Sequence, residues 1–392
     1  MMVILQGERL NNGSSIFNLQ FLFMNFSDWY HINNIDSIDS PALVVYKDRV
    51  IRNISTAIGM VDDVDRLRPH VKTNKCKKVA QLMLDAGIAK FKCATIAEAE
   101  MLAMVNAPDV LLAYQPIGPK LTRFIELIKK YPATKFSCLV DNADALKNIA
   151  AAAEENGLTV PVFIDLNVGM NRTGIAPDKA GELYSLCKNL EGLFPVGLHA
   201  YDGHIRNPDY EQRTIECNKA FEAVIKLQDE LQQHGFDKPV IIAGGSPSFS
   251  IHAKREEVEC SPGTFVYWDK TYLQYSEQEF LPAALVIARI ISLPAETRIC
   301  IDLGHKSISS ENELSNRVYF LNAPELKFVG HSEEHLVAEV PAGHSYKPGD
   351  ILYGLPIHIC PTVALYERVR VAENNTINTE WKTIARDRKI NV

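Results

Sequence analysis

The decapeptide RLRPHVKTNK, residues 66–75, decides how the rest of the chain is read. Its first half is a short β-type run with Leu67 and Val71, and from near Lys75 a helical pattern takes over through Val79, Leu82, Met83 and Ala86. Lys72 stands at the junction, where a strand end can hold a side chain rigidly and aim its amine into a pocket. The stretch contains no glycine, so it is not the glycine-rich turn that opens a dinucleotide-binding, doubly wound sheet.

Outward from this junction the chain alternates. Strand-like runs follow at 91–94, 110–113, 136–140, 160–165, 196–200, 240–243 and 258–260, and helical patterns at 96–104, 122–130, 143–155, 180–187 and 210–233 separate most of them. With the run at 67–71 that makes eight strands in βα units, the number that closes a (β/α)8 TIM barrel, placed here over 49–270. A helix pattern over 48–61 leads into it. After about residue 270 the rhythm changes: strands are expected at 281–293, 298–303, 336–340, 351–353 and 363–371, with turns such as KPGD (347–350) and no long amphipathic helix. The expectation is a C-terminal, mostly antiparallel β domain over 271–392 that also takes in 36–48, because the ALVVY run at 42–46 has no barrel partner. Residues 1–35 read as an N-terminal extension, partly disordered, with 1–23 either a tail or an upstream reading of the start site.

Composition narrows the chemistry. The chain has 392 residues, 46% of them hydrophobic and 23% charged, and a net charge of −7, so it offers no basic field for nucleic acid or an anionic membrane. Eight cysteines without a C-x-x-C pair or a secretory signal read as free thiols in a reducing, cytoplasmic setting. The apolar patch at 17–26 is interrupted by Asn18, Gln20 and Asn25 and is too short to span a bilayer. A small-molecule substrate is the default expectation.

In a barrel the strand C-termini share one face, and the motifs collect there. The Lys72 amine can form a Schiff base where burial or neighbouring cations lower its pKa, and Arg68, His70 and Lys75 are such neighbours; the plain alternative is a solvated lysine on a basic turn. DLNVGMNRTG (165–174) follows strand five and carries Arg172, suited to an anionic ligand atom or to a surface salt bridge. GLHAYDGHI (197–205) crowds His199, Tyr201 and His204 at the end of strand six, as structural hydrogen-bonders or as site residues. AGGSPSF (243–249) and CSPGT (260–264) end strands seven and eight; Gly244, Gly245 and Gly263 let backbone N–H groups approach an anion, and Ser246 and Thr264 add hydroxyls. Either loop alone is equally a turn, but together they occupy the position where this fold commonly holds a phosphate. In the β domain, PIHICPT (356–362) spaces His358 and Cys360 so that an extended strand would face both to one side, as a soft pair for Zn²⁺ or as a buried thiol beside a core histidine.

These ordered motifs resemble the D-threonine aldolase and D-serine dehydratase family, over roughly residues 39–371. The resemblance implies a fold-type III enzyme: an alanine racemase-like barrel, pyridoxal 5'-phosphate and a C-terminal β domain. Lys72 would hold the cofactor and move a proton at Cα; Arg172 would lie near its phenolic oxygen and Tyr201 against its ring; Gly244, Gly245, Ser246, Gly263 and Thr264 would cradle its phosphate. His358 and Cys360 would bind a divalent metal, zinc or manganese, that meets the substrate β-hydroxyl. Lys72, His358, Tyr201 and His204 form the catalytic set. Two departures stand out: Asn74 replaces a histidine found in many relatives, and Cys360 replaces the aspartate of familiar aldolases while matching the dehydratases. The expected activity is retro-aldol cleavage of a D-amino acid such as D-threonine to glycine and an aldehyde, with dehydration of D-serine to pyruvate and ammonia as the alternative. A racemase using Tyr319 or Tyr353 and a non-catalytic cofactor carrier are further readings. A homodimer is expected from the family.

Overall fold

The computed structural model describes residues 29–392; the reading of the first 28 lies outside the described residues. Strand β1 (Ala42–Tyr46) is followed by helices α1 (Lys47–Gly59) and α2 (Lys77–Asp85), and then the βα rhythm begins. Strands β2 (Lys90–Cys93), β3 (Asp109–Leu112), β4 (Lys135–Val140), β5 (Val160–Leu166), β6 (Leu193–Ala200), β7 (Val240–Ala243) and β8 (Val258–Cys260) lie side by side in chain order, all parallel. Helices α3 (Ile96–Ala103), α4 (Pro119–Lys130), α5 (Ala143–Glu155), α6 (Pro177–Asn189), α7 (Tyr210–Gln233) and the short α8 (Phe249–His252) connect them.

The expected first strand is present as a seam rather than a regular strand. Arg68 and His70 donate backbone N–H groups to the Cys260 and Pro262 carbonyls on one side, and on the other Val71 donates to the Lys92 carbonyl of β2 while the Lys92 N–H donates to the Pro69 carbonyl. Parallel bridges Leu67↔Cys260 and His70↔Lys92 join β8 to β2 through this segment and close the ring. Pro69 has no N–H to donate, which is why the ladder breaks into isolated bridges. Arg68, buried inside, pairs with Glu259 of β8 at 2.6 Å and with Asp109 of β3 at 2.5 Å, so an ion network staples the seam. A small apolar cluster of Leu111, Leu139, Phe163 and Ile242 sits apart from the main core. Contributed by β3, β4, β5 and β7, it forms a layer filling the barrel interior.

The second sheet is mostly antiparallel. Strands β9 (Ala284–Ala295), β10 (Arg298–Ile301), β11 (Val318–Phe320), β12 (Lys327–His331), β13 (Leu336–Glu339), β14 (Ile351–Pro356), β15 (Arg368–Glu373) and β16 (Thr376–Lys382) join β1, which pairs antiparallel with β9 and parallel with β15. The ALVVY run therefore belongs to this domain. Residues 29–35 pack here too: Tyr46 donates its hydroxyl to the Tyr30 carbonyl at 2.6 Å, and Ile32 and Ile35 are buried against Val44 and Ile287.

One reading changes. Residues 363–371, expected as one strand, are the end of helix α9 (Ile359–Leu365) followed by β15, so His358 and Cys360 are not on an extended strand. His358 is the residue before the helix and Cys360 lies in its first turn, where Pro361 costs nothing because that turn's N–H groups have no helical partner. Buried Asp269 accepts the Ile359 N–H at 3.0 Å and pins this turn. Burial pushes the Asp269 carboxyl up to about 7, against the hydrogen bond from Ile359 and the nearby His358.

Candidate active site

A cavity of about 680 Å³ opens at the C-terminal ends of the barrel strands. Lys72, Arg172 and Tyr201 line it together, as the sequence reading expected, and so do His199 and Asp165. The lysine loop is built by its neighbours. His70 Nδ1 accepts the Lys72 backbone N–H at 3.2 Å, and Lys75, at φ 50°, turns the chain into α2 while its amine pairs with fully buried Glu98. Burial, then the Lys72, Lys92 and Lys75 amines, hold His70 well below its usual pKa, so its ring is neutral and free to accept. Asn74 points away from the cavity: its Oδ1 accepts the Cys76 N–H at 3.1 Å at the start of α2.

Tyr201 is the hub. The Lys72 Nζ lies 5.7 Å and the Arg172 guanidinium 5.1 Å from its ring centroid, both within cation–π range. A side chain at Gly245 would meet the same ring at 2.9 Å, so the glycine lets the loop after β7 pass beneath it. Gly244, at φ +77°, would clash with His252 at 2.7 Å if it carried a Cβ. Ser246 Oγ accepts the backbone N–H groups of Gly263 at 3.2 Å and Thr264 at 3.1 Å, so the two loops converge on one oxygen. Converging backbone amides beside glycines are what a phosphate oxygen requires, and these residues, buried under Tyr201 rather than among those lining the cavity, fit pyridoxal phosphate.

Helix α9 brings the β domain to the lysine loop. The Cys360 thiol lies 3.1 Å from Thr73 Oγ1, next to Lys72, and 3.7 Å from Thr264 Oγ1. Burial opposes its ionisation, but hydrogen bonding to His358, the Lys72 and His358 charges and Thr73 outweigh burial and set the thiol below its usual value. His358 is half-exposed and its Nδ1 is engaged by the Glu311 carboxylate. Burial lowers the imidazole's pKa, yet Cys360 and Glu311 raise it to about 9. A carboxylate on Nδ1 leaves Nε2 for a metal, and imidazole plus thiolate is a donor set that suits Zn²⁺. The strand argument for the pair fails, but the helix turn still makes them neighbours.

Other expected residues lie elsewhere. His204 is exposed and stacked on Gly169, whose added Cβ would meet its Nε2 at 2.6 Å; it does not line the cavity. Tyr353 is buried under Tyr30, and Tyr319 is covered by the Lys270 amine at 4.6 Å, so neither reaches the cavity. Lys92, Glu311 and Arg388 also belong to the site region, and none stands in one of the motifs of the sequence. Lys92 is legible as the second lysine of KFKC, a charge inside a buried parallel strand.

Residues 45–271 match the alanine racemase N-terminal domain family. The chain belongs to that family. This alanine racemase-type barrel is followed by a match to a serine dehydratase domain over 283–372. Among curated proteins, a D-threonine aldolase from Arthrobacter sp. is 26% identical over 89% of this chain and 93% of its own length. A D-threo-3-hydroxyaspartate dehydratase from Delftia sp. is 25% identical over 89% and 98%. The crystal structure of D-threonine aldolase from Filomicrobium marinum superposes with a TM-score of 0.82 at 24% identity, covering 90% of this chain and 97% of that one, a likeness of fold.

Proposed function

We propose that this protein is a pyridoxal phosphate- and divalent metal-dependent lyase acting on D-3-hydroxy-2-amino acids, with retro-aldol cleavage of D-threonine to glycine and acetaldehyde as its reaction. The observation that carries this reading is the seating of Cys360 against Thr73, which sets an imidazole–thiol pair beside the cavity's lysine. A lyase on β-hydroxy amino acids needs both in one place: an amine at Cα and a Lewis acid at the β-oxygen. The aldolase relative, aligned over nearly the whole of both chains, supports the choice.

The chain's own residues divide the work. Lys72 would hold the cofactor's aldehyde carbon, and the amides of Gly263 and Thr264 with the Ser246 hydroxyl would hold its phosphate. Bound there, the pyridinium ring supplies a sink for the electron pair released at Cα. Arg172, at the loop after β5, and Tyr201, packed over the loop after β7, would orient the cofactor ring. The Lys72 amine, once free, is placed to give or take a proton at Cα. His358 Nε2 and Cys360 Sγ would hold zinc or manganese, whose charge favours ionisation of a β-hydroxyl. Glu311, engaged at Nδ1, would orient the imidazole with Nε2 free for the metal, which would take the place of the Nε2 proton.

Cys360 also favours a second reading, dehydration of D-serine or a D-3-hydroxyaspartate to a 2-oxo acid and ammonia. Solved variants of a D-threo-3-hydroxyaspartate dehydratase replace a histidine and, two positions on, a cysteine, and the cysteine variant is described in a metal-free form. His358 and Cys360 have the same spacing. A product assay separates the readings. Metal-stripped and zinc- or manganese-reloaded protein is given D-threonine and D-serine separately. Glycine with acetaldehyde, only with metal, is the expected outcome; pyruvate with ammonia would replace it by the dehydratase. No turnover on either would overturn both. A homodimer is part of the same reading, and sedimentation at micromolar concentration tests it. Among the described residues no helix is long and apolar enough to cross a membrane.

A further inference from the structure

Lys92 is an expensive residue in its place. It stands on β2 with its side chain buried in the barrel, and its amine reaches across to His199 on β6, with Nζ and Nε2 3.4 Å apart. Three strands lie between β2 and β6 in either direction round a ring of eight, so the contact spans the interior. His199 in turn meets the Asp165 carboxylate of β5, Nδ1 to Oδ1, at 2.7 Å. Burial and the Lys92 charge keep His199 below its usual pKa even though Asp165 pulls the other way, so the ring is neutral. Its Nδ1–H then donates to Asp165, and Nε2 is left to accept one N–H from Lys92.

That single neutral acceptor is the only hydrogen-bond partner the described residues give the Lys92 amine. Lys92 lines the cavity, and its amine lies 5.8 Å from the Tyr201 ring that Lys72 approaches at 5.7 Å. The charged groups around it are Lys72, Asp165, Arg68 and Asp202, with neutral His70 bridged to its backbone. Asp165 is engaged by His199, Asp202 by Ser248 and His252, and Arg68 by Glu259 and Asp109. Along the whole cavity wall five cationic side chains face three carboxylates. A buried cation with spare donors and no anion of its own is completed by an anion that arrives with a ligand.

We propose that Lys92 is a second anion-binding amine of this cavity, presented by His199 and Asp165 as positioning residues, and that it receives an oxyanion of the bound molecules, either the ring oxygen of pyridoxal phosphate or the carboxylate of the amino acid. The inference rests on the cofactor reading above. It adds a group to the site: an amine that binds without forming a covalent bond, on a different strand from Lys72.

The test compares wild type with Lys92→Met and Lys92→Arg, using binding rather than turnover. Cofactor affinity is titrated by absorbance with pyridoxal phosphate and with its 3-deoxy analogue, which lacks the ring oxygen. Amino-acid affinity is read from the spectral change of the loaded protein with D-serine and with ethanolamine, which lacks the carboxylate. If the ring oxygen is the partner, Lys92→Met weakens pyridoxal phosphate at least tenfold and leaves the 3-deoxy analogue within twofold. If the carboxylate is the partner, D-serine weakens at least tenfold and ethanolamine does not. Lys92→Arg should restore either loss to within fivefold. Equal affinities in Lys92→Met and wild type for all four ligands overturn the inference alone, whereas wild-type protein that takes up no pyridoxal phosphate overturns the cofactor reading with it. Should Lys92→Met fail to fold, Lys92→Gln gives the same comparison with a neutral side chain of similar length.

Discussion

Two groups of histidine, cysteine and carboxylate flank the lysine loop and the glycine loop, and they are chemically opposite. Asp202, Cys217 and His252 lie behind the glycine loop with their donor atoms within 4.8 Å of one another, close enough for one metal ion. Every one of those atoms is already engaged. Asp202 accepts from His252 Nε2 at 2.9 Å and from Ser248 Oγ at 2.7 Å, Cys217 lies 3.2 Å from the same His252 nitrogen, and Ser248 Oγ receives the Gly245 N–H. Burial, then the Asp202 charge, pushes the Cys217 thiol up to about 12. In the group of Glu311, His358 and Cys360, half-exposed and beside Lys72, the thiol is instead set below its ordinary value. Three ligand-type residues in reach of one another do not define a metal centre. The buried network braces the glycine loop after β7, and a thiol whose neighbours favour the thiolate is the one suited to a cation.

The largest effect expected from that difference is at His358. His358→Ala should cut metal-dependent turnover by at least about 100-fold, because changing even the outer partners of a metal ligand typically costs 10- to 100-fold. The absorbance of bound pyridoxal phosphate should be unchanged, since no cofactor-loop contact is lost. Full activity in this variant, or a metal content equal to wild type, would break the contrast between the two groups.

Lys92 shares burial with the first group and incomplete pairing with the second, and this gives a pH prediction. Burial, then the Lys72 charge, pushes its amine down to about 7. In the unfolded chain the value is about 10.4, so between these limits the unfolded state holds a proton that the folded state lacks, and stability climbs with pH. At pH 7 most of the penalty is present. Lys92→Met should therefore stabilise the cofactor-free protein by a few kcal/mol at pH 7, at about 1.4 kcal/mol per pH unit, and by little at pH 10. Urea unfolding at the two pH values measures it. A variant less stable than wild type at both would mean that Lys92 is a structural member of the barrel core.

Much of this was legible in the sequence, for identifiable reasons. The barrel declared itself through short apolar runs separated by amphipathic helices, and Lys72, Arg172 and Tyr201 were found because strand ends in such a fold share one face. The first strand was expected at 67–71 and is there, but Pro69 reduces it to a seam. His358 and Cys360 were expected side by side on an extended strand, whereas they lie at the start of α9, where Pro361 in the first turn is tolerated. Glu311 stands 47 residues from His358 and meets it only through the fold of the β domain. Lys92 and His199 are 107 residues apart, and no spacing rule connects β2 with β6.

Smaller effects sharpen the comparison from either side. Glu311→Gln keeps a hydrogen-bonding group on His358 Nδ1 but removes its charge, so metal affinity should fall about tenfold, at the low end of the range for a residue behind a ligand. The smallest effect is expected at Cys217. Its thiol is a protonated, buried member of the brace, so Cys217→Ala removes weak contacts and leaves Asp202 with both of its stronger donors. Stability should fall by about 1 kcal/mol, the net worth of an ordinary hydrogen bond, while turnover stays within about twofold and bound metal per chain is unchanged by elemental analysis. A drop in metal content would show that the buried trio, with a thiol this reluctant to ionise, nevertheless holds the ion, and the roles of the two groups would have to be exchanged.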